Sequence, residues 1–151
     1  MATGPGRWDD GPVSTASLST RIGVSMYRRL DGRAMGGSAQ APVVLLTMPG
    51  RRSGLPRSAC VRAIRSDDGY LVWGSANGRP QDPDWFRNLR HAGRATLQDG
   101  ADVHEVVAVE LTGAERDEVW RGTVLALLPG VEKYARKAGR TIPVALLTPA
   151  S

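Results

Sequence analysis

Cysteine, histidine and phenylalanine are almost missing from this 151-residue chain, which holds one Cys, two His and one Phe. A lone Cys60 excludes an internal disulfide, and a reducing, cytoplasmic setting is expected. With only His91 and His104 beside it, no zinc site built from several such ligands is expected either. No apolar run reaches the length of a membrane span, and the densest one, "APVVLLTM", is of strand length. The first residues, "MATGPGRWDDGPVSTASLST", carry an acidic pair and no apolar core segment, so no secretory signal is read there.

The familiar phosphate-binding signatures are missing as well. No Lys-Ser/Thr follows a Gly-x4-Gly, so there is no Walker loop, and no Gly-x-Gly-x-x-Gly opens a helix. No aromatic residue lies between Tyr27 and Tyr70, where the basic charge is densest. Nucleic-acid readers interleave stacking rings with basic residues, so nucleic acid ranks as a weak alternative and is not the expected partner. No Ser-His-Asp or Cys-His arrangement is recognisable.

What the chain does have is arginine. The net charge is +5, and residues 47–65, "TMPGRRSGLPRSACVRAIR", hold five arginines without one acidic side chain. Such charge calls for an anionic partner: nucleic acid, an acidic membrane surface or a phosphorylated small molecule. Arg51, Arg52 and Arg57 fall on a turn rich in Gly and Pro. Guanidinium binds phosphate bidentately, and glycine lets backbone N–H groups approach an anion. A phosphate clamp and a solvated charged hairpin are evenly matched on these grounds, and Ser53-Gly54 tips the reading to the clamp.

Length and the 41% hydrophobic content predict one compact domain. Residues 1–16 read as an arm rich in Gly, Pro, Ser and Thr, with the domain at 17–151. An amphipathic helix is expected from Ser17 to Leu30, with Arg21, Arg28 and Arg29 interspersed. Such a helix packs on its own domain or touches an anionic membrane surface, and the first reading is preferred.

Strands are expected at Pro42–Met48, Ser58–Arg65, Tyr70–Ala76, Arg94–Gln98, Val103–Leu111 and the "TIPVALLTP" segment. Asp68-Gly69 suits a hairpin turn. Asp82 reads as the N-cap of a helix from Pro83 to Ala92. Thr112 and Glu115 match a capping box opening a helix that carries Val119, Trp120, Val124 and Leu127. A short helix is expected from Val131 to Lys137. Successive strands with short connections predict an α+β fold with a mainly antiparallel sheet, a small barrel with helices packed outside.

Beyond the arginines, Trp73, Gly74 and Ser75 end a strand, and Trp85 and Asn88 on the following helix are able to line a planar ligand. Trp85 by itself reads first as a core aromatic. Tyr134 is a hydroxyl donor at a pocket mouth or, more simply, an amphipathic surface residue. His91 complements a helix dipole, and Cys60 is a small hydrophobe within a strand.

The ordered motifs "MYRRLDGRAMGG", "VVLLTMPGRRSGLPR", "DGYLVWGSANG", "DPDWFRNLRHAGRATLQ", "ERDEVW" and "YARKAGRTIPVALLTP" resemble the F420-dependent deazaflavin nitroreductase and F420H2-dependent quinone reductase family. The resemblance covers nearly everything after the arm. It implies a split β-barrel like those that bind FMN, and a reductase taking hydride from reduced coenzyme F420, an 8-hydroxy-5-deazaflavin bearing a phosphodiester and a polyglutamate tail. FMN ranks below it.

By that likeness Arg51, Arg52, Ser53 and Arg57 hold phosphate and tail. Ser58, Ala59, Cys60, Val61 and Arg62 run beside the coenzyme, largely through backbone groups. Gly74, Ser75 and Ala76 form the opposite wall near the ring, and Trp85, Phe86 and Asn88 close the pocket. Tyr134 and Ser75 are the candidate proton donors. The expected acceptor is a small molecule, an enone, quinone or nitro compound, and the expected state a monomer or homodimer. A barrel that carries the coenzyme without turnover is the alternative. Leu128 and Val131 stand where relatives active on nitroimidazoles and quinones have tyrosines, and Arg62 where an aromatic is common. Ala76 replaces a usual Lys, with Arg79 the available substitute.

Overall fold

The computed structural model of the protein describes residues 37–150. The arm at 1–16 and the helix expected from Ser17 to Leu30 lie outside the described residues. Seven strands form one sheet: β1 (Val43–Pro49), β2 (Pro56–Arg62), β3 (Ile64–Ser66), β4 (Gly69–Trp73), β5 (Arg94–Asp99), β6 (Asp102–Leu111) and β7 (Val144–Pro149). Their spatial order is β2-β1-β5-β6-β7-β4-β3, and every neighbouring pair is antiparallel, as expected.

β2 and β3 are consecutive in the chain yet sit on opposite edges of the sheet. A single residue, Ala63, separates them, so the sheet has to curl until its edges approach. This is the split barrel. The strand expected as continuous from Ser58 to Arg65 is thus two strands. β2 pairs with β1 from Val43↔Arg62 to Pro49↔Pro56, whereas β3 pairs with β4 through Ile64↔Leu71. Fully buried Ala63 marks the corner, where a small side chain suits the bend. The backbone before β1 bridges the seam, with Ala63 N–H donating to Pro42 O at 2.9 Å and Arg65 N–H to Gln40 O at 2.8 Å.

The helices follow the strands closely. α1 spans Asp84–Ala92, α2 Gly113–Val119, α3 Leu125–Leu127 and α4 Glu132–Ala138. A π-helical turn, Trp120–Val124, joins α2 to α3. α1 plugs the barrel: Phe86 and Leu89 join Val44, Leu46, Met48, Val72, Leu97 and Leu147 in the interior. Outside the sheet, Leu71, Trp73, Leu111 and Val144 pack against Trp120, Val124 and Ile142. β1 contributes to both sides, as its unbroken apolar run predicts; Val44 through Leu46 and Met48 are all buried. Full burial of one such side chain contributes about 1.5–3 kcal/mol.

Several local expectations are corrected. Pro83, not Asp82, occupies the N-cap of α1, and the Asp82 carboxylate binds Arg90 and Arg140 instead. Thr112 precedes α2 without a side-chain cap, since Gly113 at φ 60° departs from helical backbone where a capping box needs it. Leu127 is exposed, because the π-helical turn shifts the inward face onto Trp120 and Val124. The β3–β4 loop residues are Asp67 and Asp68, with the positive φ on Gly69 at the head of β4. A Cβ on Gly69 would lie 1.9 Å from Leu147 O, so the β4–β7 pairing demands glycine there. Among the described residues no helix is long and apolar enough to cross a membrane.

Candidate active site

The arginine segment forms the turn between β1 and β2. Gly50 N–H donates to Leu55 O at 2.8 Å and Gly54 N–H to Gly50 O at 2.9 Å, closing a tight loop. Gly54 adopts φ 76° and nothing lies within 4 Å of where a Cβ would stand, so the loop's outer side is open.

The three arginines differ in what already holds them. Arg51 is docked on α1: its backbone N–H and Nη1 donate to Asn88 Oδ1 at 3.1 and 2.8 Å, and Nη2 pairs with Asp84 at 3.2 Å. Asn88 is 6% exposed, so this is a buried anchor for the turn. Arg57 Nη2 donates to Ser53 Oγ at 3.3 Å, and the same hydroxyl accepts from Leu55 N–H at 3.1 Å. Arg52 is exposed and has no hydrogen bond or ion pair among the described residues. Asp84 is the acidic partner of Arg51, and the turn from Gly50 to Leu55 contributes no acidic side chain of its own.

β2 continues from this turn as an edge strand of the sheet among the described residues. Ser58 Oγ shares a 2.8 Å hydrogen bond with the Thr47 hydroxyl, and both are buried. Ala59 is buried at the barrel, Val61 packs on the interior cluster and Cys60 beside Leu45 on the other face. Arg62 Nε donates to Ala41 O at 2.6 Å, which ties the end of β2 to the segment before β1.

The opposite wall follows β4. Gly74 is buried, and a Cβ there would press on Pro83 and on the Phe86 ring at 3.1 and 3.2 Å. Half-buried Ser75 comes next, and then three successive residues, Ala76, Asn77 and Gly78, take φ of 51°, 55° and 84°. Left-handed backbone is unfavourable for residues bearing a Cβ, so this turn is strained. α4 packs against it, with the Lys137 side chain lying on Gly78. α4 also carries half-buried Tyr134, whose ring has Lys133 Nζ 5.1 Å from its centroid.

α1 bridges the two walls. Asn88 grips Arg51 on one side, while Phe86 underlies Gly74 on the other. Phe86 itself is 1% exposed and belongs to the interior; Trp85 is half-buried, its ring centroid 5.4 Å from that of Phe86. The structure therefore brings Arg51, Gly74, Phe86 and Asn88 into one connected cluster.

Sequence reasoning missed Arg140. Its Nη1 pairs with Asp82 at 2.6 Å, Nε donates to Arg79 O at 3.1 Å, and Nη2 donates to Gly74 O at 3.1 Å and Gln81 O at 2.9 Å. Asp82 also pairs with Arg90 at 3.0 Å, and Arg90 with Glu110 on β6 at 2.6 Å. The Glu110 carboxylate beside it, then Asp82, push the Arg90 guanidinium above its ordinary value against the opposing effect of burial. Isolated near a glycine in the sequence, Arg140 gave no signal of its own, and Asp82, read there as a cap, did not point to a distant partner.

A second partly buried carboxylate lies away from these walls. Asp99 accepts from Arg65 Nη2 at 2.6 Å and from the Tyr70 hydroxyl at 2.7 Å. Burial, and then the Asp99 carboxylate, push Tyr70 up to about 12.

Comparison with known proteins gives a consistent result. The family model described as F420H(2)-dependent quinone reductase matches residues 19–149. An F420H(2)-dependent quinone reductase of Mycobacterium tuberculosis is 27% identical over 145 residues, covering 94% of this chain and 96% of its own. A solved F420-H2 dependent reductase, FDR-A, superposes with a TM-score of 0.61 at 31% identity, covering 70% of this chain and 93% of that one. A solved domain-swapped dimer gives a TM-score of 0.62 at 29% identity, covering 87% and 99%.

Proposed function

Because the chain belongs to the F420H(2)-dependent quinone reductase family, it is an oxidoreductase that works with coenzyme F420, and we propose that it passes hydride to a quinone-type acceptor in the cleft bridged by α1. One observation carries this reading. α1 joins a cationic turn to a strained glycine-containing wall, through Asn88 to Arg51 and through Phe86 to Gly74.

The donor set fits the coenzyme. Exposed Arg52 and the Arg57–Ser53 pair offer guanidinium and hydroxyl donors to the phosphodiester and acidic tail, while Arg51, held by Asn88 and Asp84, fixes the turn. β2, from Ser58 through Arg62, would run alongside, and Gly74, Ser75 and Ala76 would wall the ring. Trp85 closes the cleft from α1, with Phe86 beneath it. Bound and reduced, coenzyme F420 supplies a hydride from the carbon that replaces the flavin N5.

The protein's own residues contribute position, dryness and a proton. Trp85 and Phe86 exclude water on one side, which strengthens every polar interaction inside. The Ser75 hydroxyl on one wall and the Tyr134 hydroxyl on α4 are the groups that would deliver the proton an acceptor oxygen needs after taking hydride. Hydride and proton together convert a quinone to its hydroquinone. An enone likewise takes one hydride and one proton, a nitro group takes one hydride and two protons to give a nitroso group and water, and these are the other acceptors to test.

Leu128 and Val131 pack against the outer core, so the acceptor side is framed without further hydroxyls from that loop. That feature favours, as a second reading, a carrier of the coenzyme without turnover. Anaerobic mixing with reduced coenzyme F420 and a panel of quinones, enones and nitroaromatics separates the two. The proposal expects bleaching of the reduced coenzyme by at least one quinone; binding with no oxidation by any acceptor leaves the carrier, and absence of binding removes both.

A further inference from the structure

We propose that Arg140 is a positioning residue of the active site: its guanidinium holds the strained Gly74–Asp82 loop and so sets Ser75 against Tyr134. This rests on the reading of the cleft given above. The turn at Ala76 and Asn77, with φ of 51° and 55°, persists only where its surroundings over-determine it. Arg140 grips the loop on both sides of that turn. Gly74 O and, at 3.4 Å, Ser75 O lie before it; Arg79 O, Gln81 O and the Asp82 carboxylate lie after it. The side chain is 17% exposed, and all three of its nitrogens are engaged.

The grip is itself anchored. Asp82 is shared with Arg90, and Arg90 reaches Glu110 on β6 while its guanidinium carbon lies 5.2 Å from the centre of the Phe86 ring. Arg140 also follows α4 by one glycine, Gly139, whose φ of 65° ends that helix. The same guanidinium thus fixes the wall bearing Ser75 relative to the helix bearing Tyr134. The planar fork of arginine meets this set of carbonyls and carboxylate, and a lysine ammonium does not reproduce it.

The test uses the full chain with Arg140→Lys, Arg140→Gln and the milder Asp82→Asn, which spares the carbonyl contacts. In protein without coenzyme, the Gly78 and Arg79 amides, which donate to Ser75 O and Ala76 O at 2.9 and 3.1 Å, report on the turn by hydrogen exchange. Exchange there is expected to quicken by about tenfold or more in both Arg140 variants, less in Asp82→Asn, with β1 and β5 unchanged. In single-turnover oxidation of reduced coenzyme F420 by a quinone, the rate is expected to fall roughly 10- to 100-fold while coenzyme affinity stays within about threefold. Unchanged exchange at Gly78 and Arg79, or protection lost uniformly through β1 and β5, overturns the proposal. So does a fall in affinity that matches the fall in rate. If wild-type protein does not bind the coenzyme, the functional reading fails, and the exchange arm still decides whether Arg140 sets the loop.

Discussion

Arg51 and Arg52 are neighbours in sequence, yet the structure predicts opposite consequences for their removal. Arg52 is exposed without a partner among the described residues, so Arg52→Ala is expected to change stability by less than about 0.5 kcal/mol. A hydrogen bond to a charged group contributes about 1.5–3 kcal/mol, and about 1.36 kcal/mol is tenfold in affinity, so the range is roughly 10- to 150-fold. Solvent exposure puts Arg52 at the lower end, near tenfold at low ionic strength and less at high salt.

Arg51→Ala removes the 2.8 Å bond to buried Asn88, and a loss of about 1–2 kcal/mol of stability is expected. Its pair with Asp84 adds little, since that carboxylate is exposed. The assay is a titration of coenzyme F420 fluorescence at two salt concentrations, with thermal melts of each variant. Undiminished affinity in Arg52→Ala at low salt, or an unshifted melt in Arg51→Ala, would refute the reasoning.

Gly69→Ala is expected to destabilise by roughly 2 kcal/mol or more, since its Cβ would meet Leu147 O at 1.9 Å; a urea midpoint equal to wild type contradicts the β4–β7 pairing. Leu46→Ala opens a cavity at a fully buried position and is expected to cost about 2–5 kcal/mol in the same measurement. Tyr70 stands near 12 when folded against an ordinary value of 10.0, so its contribution to stability is full below pH 10 and is lost as pH rises through 12. Asp99→Asn leaves the burial but removes the carboxylate, and is expected to bring the late tyrosinate absorbance step to lower pH. An unmoved step would show that the Asp99 contact does not act on Tyr70.

The parts of the fold visible in the sequence are those that local pattern fixes. β1 shows itself by an unbroken apolar run because both of its faces are buried, and α4 by Gly139 just beyond it. The break at Ala63 was hidden, because a corner between strands pairing on opposite sheet edges leaves no mark in an apolar/polar alternation. Asp82 looked like a cap because Asp-Pro usually opens a helix; its tertiary partners, Arg90 and Arg140, are distant in sequence. For the site, composition pointed to the arginine turn and the family resemblance pointed to the "WGSA" segment. Neither separated docked Arg51 from open Arg52, a distinction made by Asn88 across the cleft. Arg62, which the sequence set apart, spends its Nε on Ala41 O.

The central claim is that the turn carrying Arg51, Arg52 and Arg57 holds the anionic part of coenzyme F420. It is tested most directly by titrating the wild-type protein with coenzyme F420, with the same deazaflavin lacking its phosphodiester and tail, and with FMN. Saturable, salt-weakened binding of coenzyme F420, at least about tenfold tighter than that of the stripped deazaflavin, is the predicted result. Equal affinity for the intact and stripped forms, or no binding of coenzyme F420 at low salt, would contradict the account.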